Sequence, residues 1–570
     1  MSKADFHPIP PTVIHDQAET FKLQGNQYLQ RGMLDEAARA YLRALAVQPD
    51  HFIVLSNHGI VLQAQGKLNE AVERFSQALA IQPDFVAALS NLGAVLLRLG
   101  RWQEAESRLR QALTLEPDNP EAHSNLGNVF LTQGRTQEAI RHYQRAVELN
   151  PELPDPLANL GIAYQDMGQL AKATDFLERA MRLNPHHHET WTNLGTVYHR
   201  QGRLDDAMTS LSRALQLKPD HPEALANQGA LLVELGRFPE ALARFREALK
   251  HAPDLADAHM AEGLTLLLLG DFKGGWAKHE WRWQRIGFPG HGLRVPLWDG
   301  QRLDGRSILL HCEKGMGDSI QFVRFARDVK AMGGHVVLRC PSCLLPLLAT
   351  AQGIDQWFTD GSPIPECDCH APLMSLPYLL GTTFDTLTAP SPYLTAPIPH
   401  PLPTHWIQRP GPRVGLVWRG NFLFRDDFKR SMDPNLLAPL LAIPGITFIG
   451  LQVAPRPGDM ETFVNRPNFY DASPHLTDFA QTAAVIAALD LVIAVDTAVL
   501  HLAGALARPT WALLPHIPDW RWLLDRDDSP WYPTMRLFRQ YQRDDWADVI
   551  TRVAEQLRSL LGELGTRQNQ

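Results

Sequence analysis

The chain has 570 residues, of which 45% are hydrophobic and 20% charged, with a formal net charge of -8. That length holds a repeat array plus two ordinary domains, and the composition excludes global disorder. The acidic balance argues against nucleic acid as the main ligand, because phosphate backbones require a basic surface. Residues 1–12 lack the apolar core of a signal peptide and no apolar run reaches spanning length, so the expectations are no membrane span and cytoplasmic residence. Five cysteines in a chain this long read as reduced, intracellular thiols.

From the N-terminus, a proline recurs with a 34-residue period at Pro49, Pro83, Pro117, Pro151, Pro185, Pro219 and Pro253. One glycine series, from Gly25 to Gly263, keeps the same period, as do two alanine series headed by Ala37 and Ala44. Small residues at fixed phase mean helices in close contact. A second glycine series, Gly32 to Gly270, is placed to end the first helix of each pair, and the prolines to stop the second. This is the tetratricopeptide signature, a helix, a turn and a helix per unit. The predicted array covers residues 17–286: seven repeats, then a capping repeat that starts at Ala256 and departs from the pattern at Gly274, Gly275 and Trp276. Stacked units of this kind form an α-solenoid with a long concave wall.

Asn57, Asn91, Asn125, Asn159, Asn193 and Asn227 fall two residues before the first glycine of their units. Asparagine inside a helix costs ~0.6 kcal/mol relative to alanine, so the column needs a reason. One reason is a hydrogen bond to the adjacent unit. The other is a ladder of amides that binds an extended peptide backbone. In that respect the array resembles the superhelix of eukaryotic O-GlcNAc transferases, where such a ladder holds the acceptor polypeptide.

A bridge over residues 287–304 leads into alternating short apolar runs and helical stretches. Residues 307–310, 335–340, 354–358 and 369–373 read as strands of a first lobe, residues 305–398. Between the first strand and a helical stretch over residues 320–332 lies the glycine loop with Gly315, Gly317 and Asp318. A proline-rich linker, residues 399–412, precedes a second lobe with its C-terminal helix, residues 413–565. There, residues 413–418, 446–451 and 491–496 read as strands, the last running straight into a helix over residues 497–507. Two Rossmann-type lobes present a cleft at their strand carboxyl ends, where ligands of this fold class bind. Cys340 and Cys343 have C-x2-C spacing, but Cys367 and Cys369 are too close for a second knuckle and Cys340 ends an apparent strand, so the four read as core thiols and no metal site is expected.

The run Asp496-Thr497-Ala498-Val499-Leu500-His501-Leu502-Ala503-Gly504, with Gly317-Asp318 after the first strand, resembles the heptosyltransferase family of GT-B glycosyltransferases. The whole chain is similar to bacterial proteins that fuse tetratricopeptide repeats to such a domain, and residues 516–522 and 528–533 belong to that fused group. The resemblance implies a GT-B-like α/β part and an inverting transfer from a nucleotide-sugar donor, with Asp318 as base for the acceptor hydroxyl. It also implies that Lys429 and Arg430 meet the donor phosphates.

The residue chemistry adds detail. Asp318 also reads as the N-cap of a helix starting at Ser319. Asp496 cannot hold a phosphate itself and is expected to cap the next helix or accept donor hydroxyls. The exposed amides at Thr497 and Ala498 favour a phosphate. His501 shares a helical face with Thr497 and is placed to donate to phosphate or ribose. Gly504 is expected to bring that helix against its strand. Gly315, Gly317 and Gln321 are expected to form a phosphate loop on the acceptor side. No D-x-D pair ends a strand of the α/β part, so transfer without a metal or other cofactor is expected, protein cations serving instead. The family's glycine after D-T is Ala498 here, and a common histidine position after G-D is Gln321.

The resulting expectation is a glycosyltransferase whose repeats capture a protein acceptor, such as a flagellin or another secreted surface protein, for O-glycosylation at Ser or Thr. The alternatives are a saccharide or lipid-linked acceptor with the repeats docking a partner, and a non-catalytic peptide-binding scaffold.

Overall fold

A computed structural model describes residues 11–285, 293–313, 315–363, 365–387, 391–421 and 427–568. The last residue of the expected array and the first of the expected bridge, 286–292, and part of the loop after Trp418, residues 422–426, lie outside them. The chain divides into two compact units, Met1–Leu231 and Leu232–Gln570.

The first unit is an α-solenoid of tetratricopeptide pairs. First helices such as Phe52–Ala64 and Val86–Arg98 alternate with second helices such as Leu68–Ile81 and Trp102–Leu115. The alanines of both series from Ala37 to Ala214 are fully buried. The first glycine series receives the large side chain of the paired helix: a β-carbon at Gly59 would stand 2.8 Å from the Phe75 ring, and one at Gly93 2.5 Å from Leu109 Cγ. The second series has positive φ throughout, +77° at Gly66 and +74° at Gly100, the left-handed turn that ends a helix.

These two glycine columns predict different penalties. Gly93→Val should destabilise the array by ~1–3 kcal/mol through overpacking against Leu109. Gly100→Ala, with open space around it but a strained backbone, should cost ~1 kcal/mol. Urea unfolding of the repeat unit checks both, and equal midpoints for the two variants would contradict the packing assignment.

In the second unit the helices Ala256–Leu268 and Phe272–His279, with Phe238 of the helix Phe238–His251 packed against them, share one hydrophobic core with the α/β part. Phe272 and Trp276 do this work: Trp276 meets Trp520 edge-on at 5.0 Å between ring centroids, and Phe272 stacks on Trp531 at 6.1 Å. The sequence pattern places a boundary at 286/287, whereas the compact units part inside the helix Pro222–Glu234. The terminal repeats sit with the sheets because their aromatic residues are buried in that core.

The α/β part has two parallel sheets. The first contains β1 (Ser307–His311), β2 (His335–Cys340), β3 (Gln356–Thr359) and β4 (Cys369–Pro372) in the order β3-β2-β1-β4. The second contains β5 (Arg413–Val417), β6 (Thr447–Gly450), β7 (Phe469–Asp471), β8 (Leu491–Val495), β9 (Thr510–Leu514) and β10 (Met535–Arg539), ordered β10-β9-β8-β5-β6-β7. In each sheet the chain adds strands outward and then crosses back, making switch points between β1 and β4 and between β5 and β8. This is the GT-B-like pair of Rossmann-type lobes.

Several elements differ from the sequence reading. The helix after β1 starts at Met316, within the glycine loop, and is interrupted by a 3-10 turn, Val323–Phe325, before Ala326–Ala331. Part of the bridge belongs to the first lobe, since Leu297 pairs with His370 and the backbone N–H of buried Trp298 donates to the His370 carbonyl at 2.8 Å. The proline-rich linker packs on the second lobe: Leu402 is buried and Trp406 lies 4.8 Å from the Tyr470 ring under the Arg409 guanidinium. β7, β9 and β10 had no predicted counterpart. Cys340 and Cys369 are buried on β2 and β4, either side of β1. Among the described residues no helix is long and apolar enough to cross a membrane.

Candidate functional site

The switch points of both sheets supply one polar cluster. From the first lobe, β1 passes through Glu313 and Gly315 into the helix Met316–Phe322, whose third residue is Asp318. From the second, β8 ends at Asp496 and the helix Ala498–Ala505 follows, with Thr497 as its N-cap. The two helices touch: a β-carbon at Gly317 would lie 3.0 Å from His501 Cδ2 and 3.4 Å from Ala498 Cα. Gly317 is therefore a close-approach glycine between lobes.

Arg521 stands at the centre. Its Nη2 donates to Asp318 Oδ1 at 2.5 Å, its Nε to Gln321 Oε1 at 2.5 Å and its Nη1 to Asp519 Oδ1 at 2.8 Å. The guanidinium also lies 4.3 Å from the Trp520 ring. Buried among carboxylates, it stays charged: burial alone lowers its pKa, but Asp519, Asp318 and Asp496 outweigh that and raise it. Gln321 is fully buried, and its Nε2 has no hydrogen-bond partner.

Asp496 Oδ2 accepts the Trp522 indole N–H at 3.0 Å. Burial, then the charge of Asp519, pushes its carboxyl up to about 6, against the Trp522 bond, Arg521 and Arg430. His501 stacks on Trp522 at 5.5 Å, shares a 2.9 Å hydrogen bond with the Tyr532 hydroxyl through Nδ1, and has Nε2 3.9 Å from Asp496 Oδ1. Burial first, then Arg521, Arg324 and Arg430, holds its pKa well below the usual histidine range, so the imidazole is neutral. Thr497 Oγ1 is buried without a hydrogen-bond partner.

The structure brings Gly315, Gly317, Asp318, Gln321, Asp496, Thr497, Ala498 and His501 to one place and revises several assignments. Asp318 is not an N-cap: Gly315 holds that position, and the carboxylate turns to Arg521 because a buried guanidinium draws it. Asp496 does not cap the next helix, since Trp522 takes its oxygen. Gly504 faces not its strand but Tyr532, whose ring would be 2.4 Å from a β-carbon there. Lys429 and Arg430 diverge. Arg430 Nε donates to Asp427 at 3.2 Å and its charge acts on Asp496 and His501. Lys429 instead pairs with Glu234, beside a cavity of about 40 Å³ shared with His516, Gln540 and Arg543.

The asparagine column lies in the first unit. Asn57 Nδ2 donates to Asn26 Oδ1 at 3.0 Å, Asn159 to Asn128 at 2.8 Å, Asn125 to Ser90 at 3.4 Å and Asn227 to Thr196 at 3.0 Å, each reaching back to the preceding repeat. Asn91 and Asn193 are half-buried at the equivalent positions. Sequence reasoning missed Asp519, Arg521, Trp522 and Tyr532 as site residues. The signal was available in the Asp-Trp-Arg-Trp run, where an arginine between two tryptophans implies a buried charge that needs carboxylates.

Comparison with known proteins agrees with this architecture. The model of glycosyltransferase family 9 (heptosyltransferase) matches residues 474–519, which contain Asp496, His501 and Asp519. A tetratricopeptide repeat model matches residues 186–254. The chain joins tetratricopeptide repeats to an α/β part that carries a match to the heptosyltransferase family. The model of the cilia and flagella-associated protein 70 C-terminal domain matches residues 11–187. Protein FlbA of Caulobacter vibrioides is 28% identical over 324 residues, which are 50% of this chain and 52% of that protein, so the chain spans about half the length of this curated relative. Among solved structures, the Cut9–Hcn1 assembly of the APC/C is 18% identical with a TM-score of 0.40, covering 48% of this chain and 52% of that one. A thermophilic tetratricopeptide protein of Thermus thermophilus is 30% identical with a TM-score of 0.29, over 32% of this chain and 99% of that one. YrrB, described as having an unusual peptide-binding site, is 24% identical with a TM-score of 0.26, over 33% and 97%.

The raised Asp496 carboxyl predicts a pH effect. In the folded state it holds its proton above its ordinary value of 3.8, so its contribution to stability falls as pH rises from there to about 6. Asp496→Asn should remove that decline and become progressively more stabilising, relative to the parent, across this window. Urea midpoints of both proteins at several pH values test it, and a pH-independent difference would contradict the assignment.

Proposed function

We propose that the protein is a glycosyltransferase that moves a sugar from a nucleotide-sugar donor to a Ser or Thr hydroxyl of a protein captured by the repeats. The observation that carries this reading is the meeting of Asp318, Arg521 and the N-terminus of the helix Ala498–Ala505 at paired switch points. In this reading the donor diphosphate lies against the first amides of that helix, where unsatisfied N–H groups and the helix dipole favour an anion. The Arg521 fork, with Arg430 nearby, supplies positive charge in place of a cation.

Donor arrival turns Arg521 toward phosphate and frees Asp318. The acceptor oxygen then attacks the anomeric carbon from the face opposite the diphosphate. A new C–O bond forms as the sugar–phosphate bond breaks, the proton passes to the Asp318 carboxylate, and the diphosphate leaves with the bonding electrons. Back-side attack inverts the anomeric centre. His501, held neutral, shapes the wall beside Asp496 rather than carrying charge. The asparagine column, through the acceptor face of its amides, lines the wall along which the acceptor peptide runs.

A second reading, a scaffold without turnover, is favoured by the direct contact of Gly317 with Ala498 and His501 and by the space Arg521 already fills. Transfer separates the two. Incubation with a panel of nucleotide sugars and co-purified proteins, read by intact mass, should show a hexose- or heptose-sized increment on a protein partner. Asp318→Asn should reduce the rate by ~10²-fold or more, and EDTA should leave it unchanged. Absence of any increment across the panel supports the scaffold.

A further inference from the structure

We infer that Arg282, in the turn that ends the repeat array, is a positioning residue for the glycine loop of the first lobe. Arg282 is 3% exposed. Its guanidinium grips Glu313 with two parallel bonds, Nε to Oε2 and Nη2 to Oε1, both 2.9 Å. The same Nη2 donates to Ser375 Oγ at 2.7 Å, and Nη1 donates to Glu280 Oε1 at 2.5 Å and to the His279 carbonyl at 3.3 Å. The ring of contacts closes through the Ser375 hydroxyl, which donates to Glu280 Oε2 at 2.9 Å.

The place of these partners gives the network its meaning. Glu313 follows β1 and stands two residues before Gly315 and five before Asp318. Ser375 ends the 3-10 turn Leu373–Ser375, which follows β4 directly. Arg282 therefore ties together the ends of β1 and β4, the switch point of the first lobe, and anchors both to the repeat terminus. A forked guanidinium fixes the orientation of a carboxylate in a way that a lysine point charge does not. Burial pushes the Glu313 carboxyl up and Arg282 opposes it. His279, alongside, is held neutral by burial, Arg282 and Arg521, and adds no competing charge. The repeats are thus part of the loop's structure as well as an acceptor-binding device, and the orientation of Asp318 depends on them.

The kinetic side of this inference rests on the transferase reading; the structural side does not. Hydrogen exchange of the full-length protein carrying Arg282→Lys, Arg282→Gln or Ser375→Ala should show amides 315–319 exchanging at least ~10-fold faster, with the largest effect in Arg282→Gln, while amides of β8 to β10 are unchanged. Where transfer is measurable, the same variants should lower kcat by at least ~10-fold and leave the KM for the nucleotide sugar within about twofold, because the donor lies on the other lobe. Unchanged exchange at 315–319 in both Arg282 variants overturns the inference whether or not transfer occurs. Full rescue of loop protection and kcat by lysine would also overturn it, since fork geometry would then be irrelevant. If Arg282→Gln fails to fold, Ser375→Ala, which removes only one hydroxyl, decides by the same exchange readout.

Discussion

Arg521 carries its charge to the point where the two parallel sheets present their switch points, and the acidic residues there keep that buried guanidinium charged. A buried guanidinium needs carboxylates, which Asp318 and Asp519 supply from the rim of the cluster, and the deeper Asp496 carboxyl feels its charge in return. Asp318 comes from the first lobe, Asp519 from the arginine's own segment, and Asp496 adds its field from the end of β8. Their mutual requirement fixes the relative placement of two helices that local sequence alone does not connect. Gly317 then allows those helices to touch, and the Trp520–Trp522 segment covers the pair.

The same logic recurs at the repeat terminus. Arg282 repeats the device with Glu313 and Glu280, and Glu234 meets Lys429 and Arg543 on the second lobe. Glu280 belongs to the turn of Arg282 itself, whereas Glu313 and the partners of Glu234 come from distant parts of the sequence. Together with Phe272 and Trp276 they make the last helices of the array part of the α/β unit. The 34-residue period continues through this region, so repeat identity and structural allegiance are different properties here.

The period made the solenoid legible, since small residues at fixed phase report helix contacts directly. Gly59 against Phe75 and Gly66 at positive φ are what the pattern demands. β1, β2, β5 and β8 were readable as continuous apolar runs. β10 was not, because Met535-Arg536-Leu537-Phe538-Arg539 alternates charge with apolar residues at the edge of its sheet. Asp318, Asp496 and His501 were visible from spacing and resemblance, but their partners were not. Asp318 meets Arg521 two hundred residues later, a pairing that no local rule encodes. Lys429 and Arg430, adjacent in sequence, part company because neighbouring residues in a short helix face different directions.

The proposed transfer requires a nucleoside diphosphate to be held at the Arg521 junction. Calorimetric titration of the common nucleoside diphosphates into the parent protein and into Arg521→Met tests this most directly. One-to-one binding of at least one nucleotide by the parent is expected, with a loss of at least ~10-fold in affinity in the variant. No binding of any nucleotide at millimolar concentration, or equal affinity in the two proteins, would contradict it.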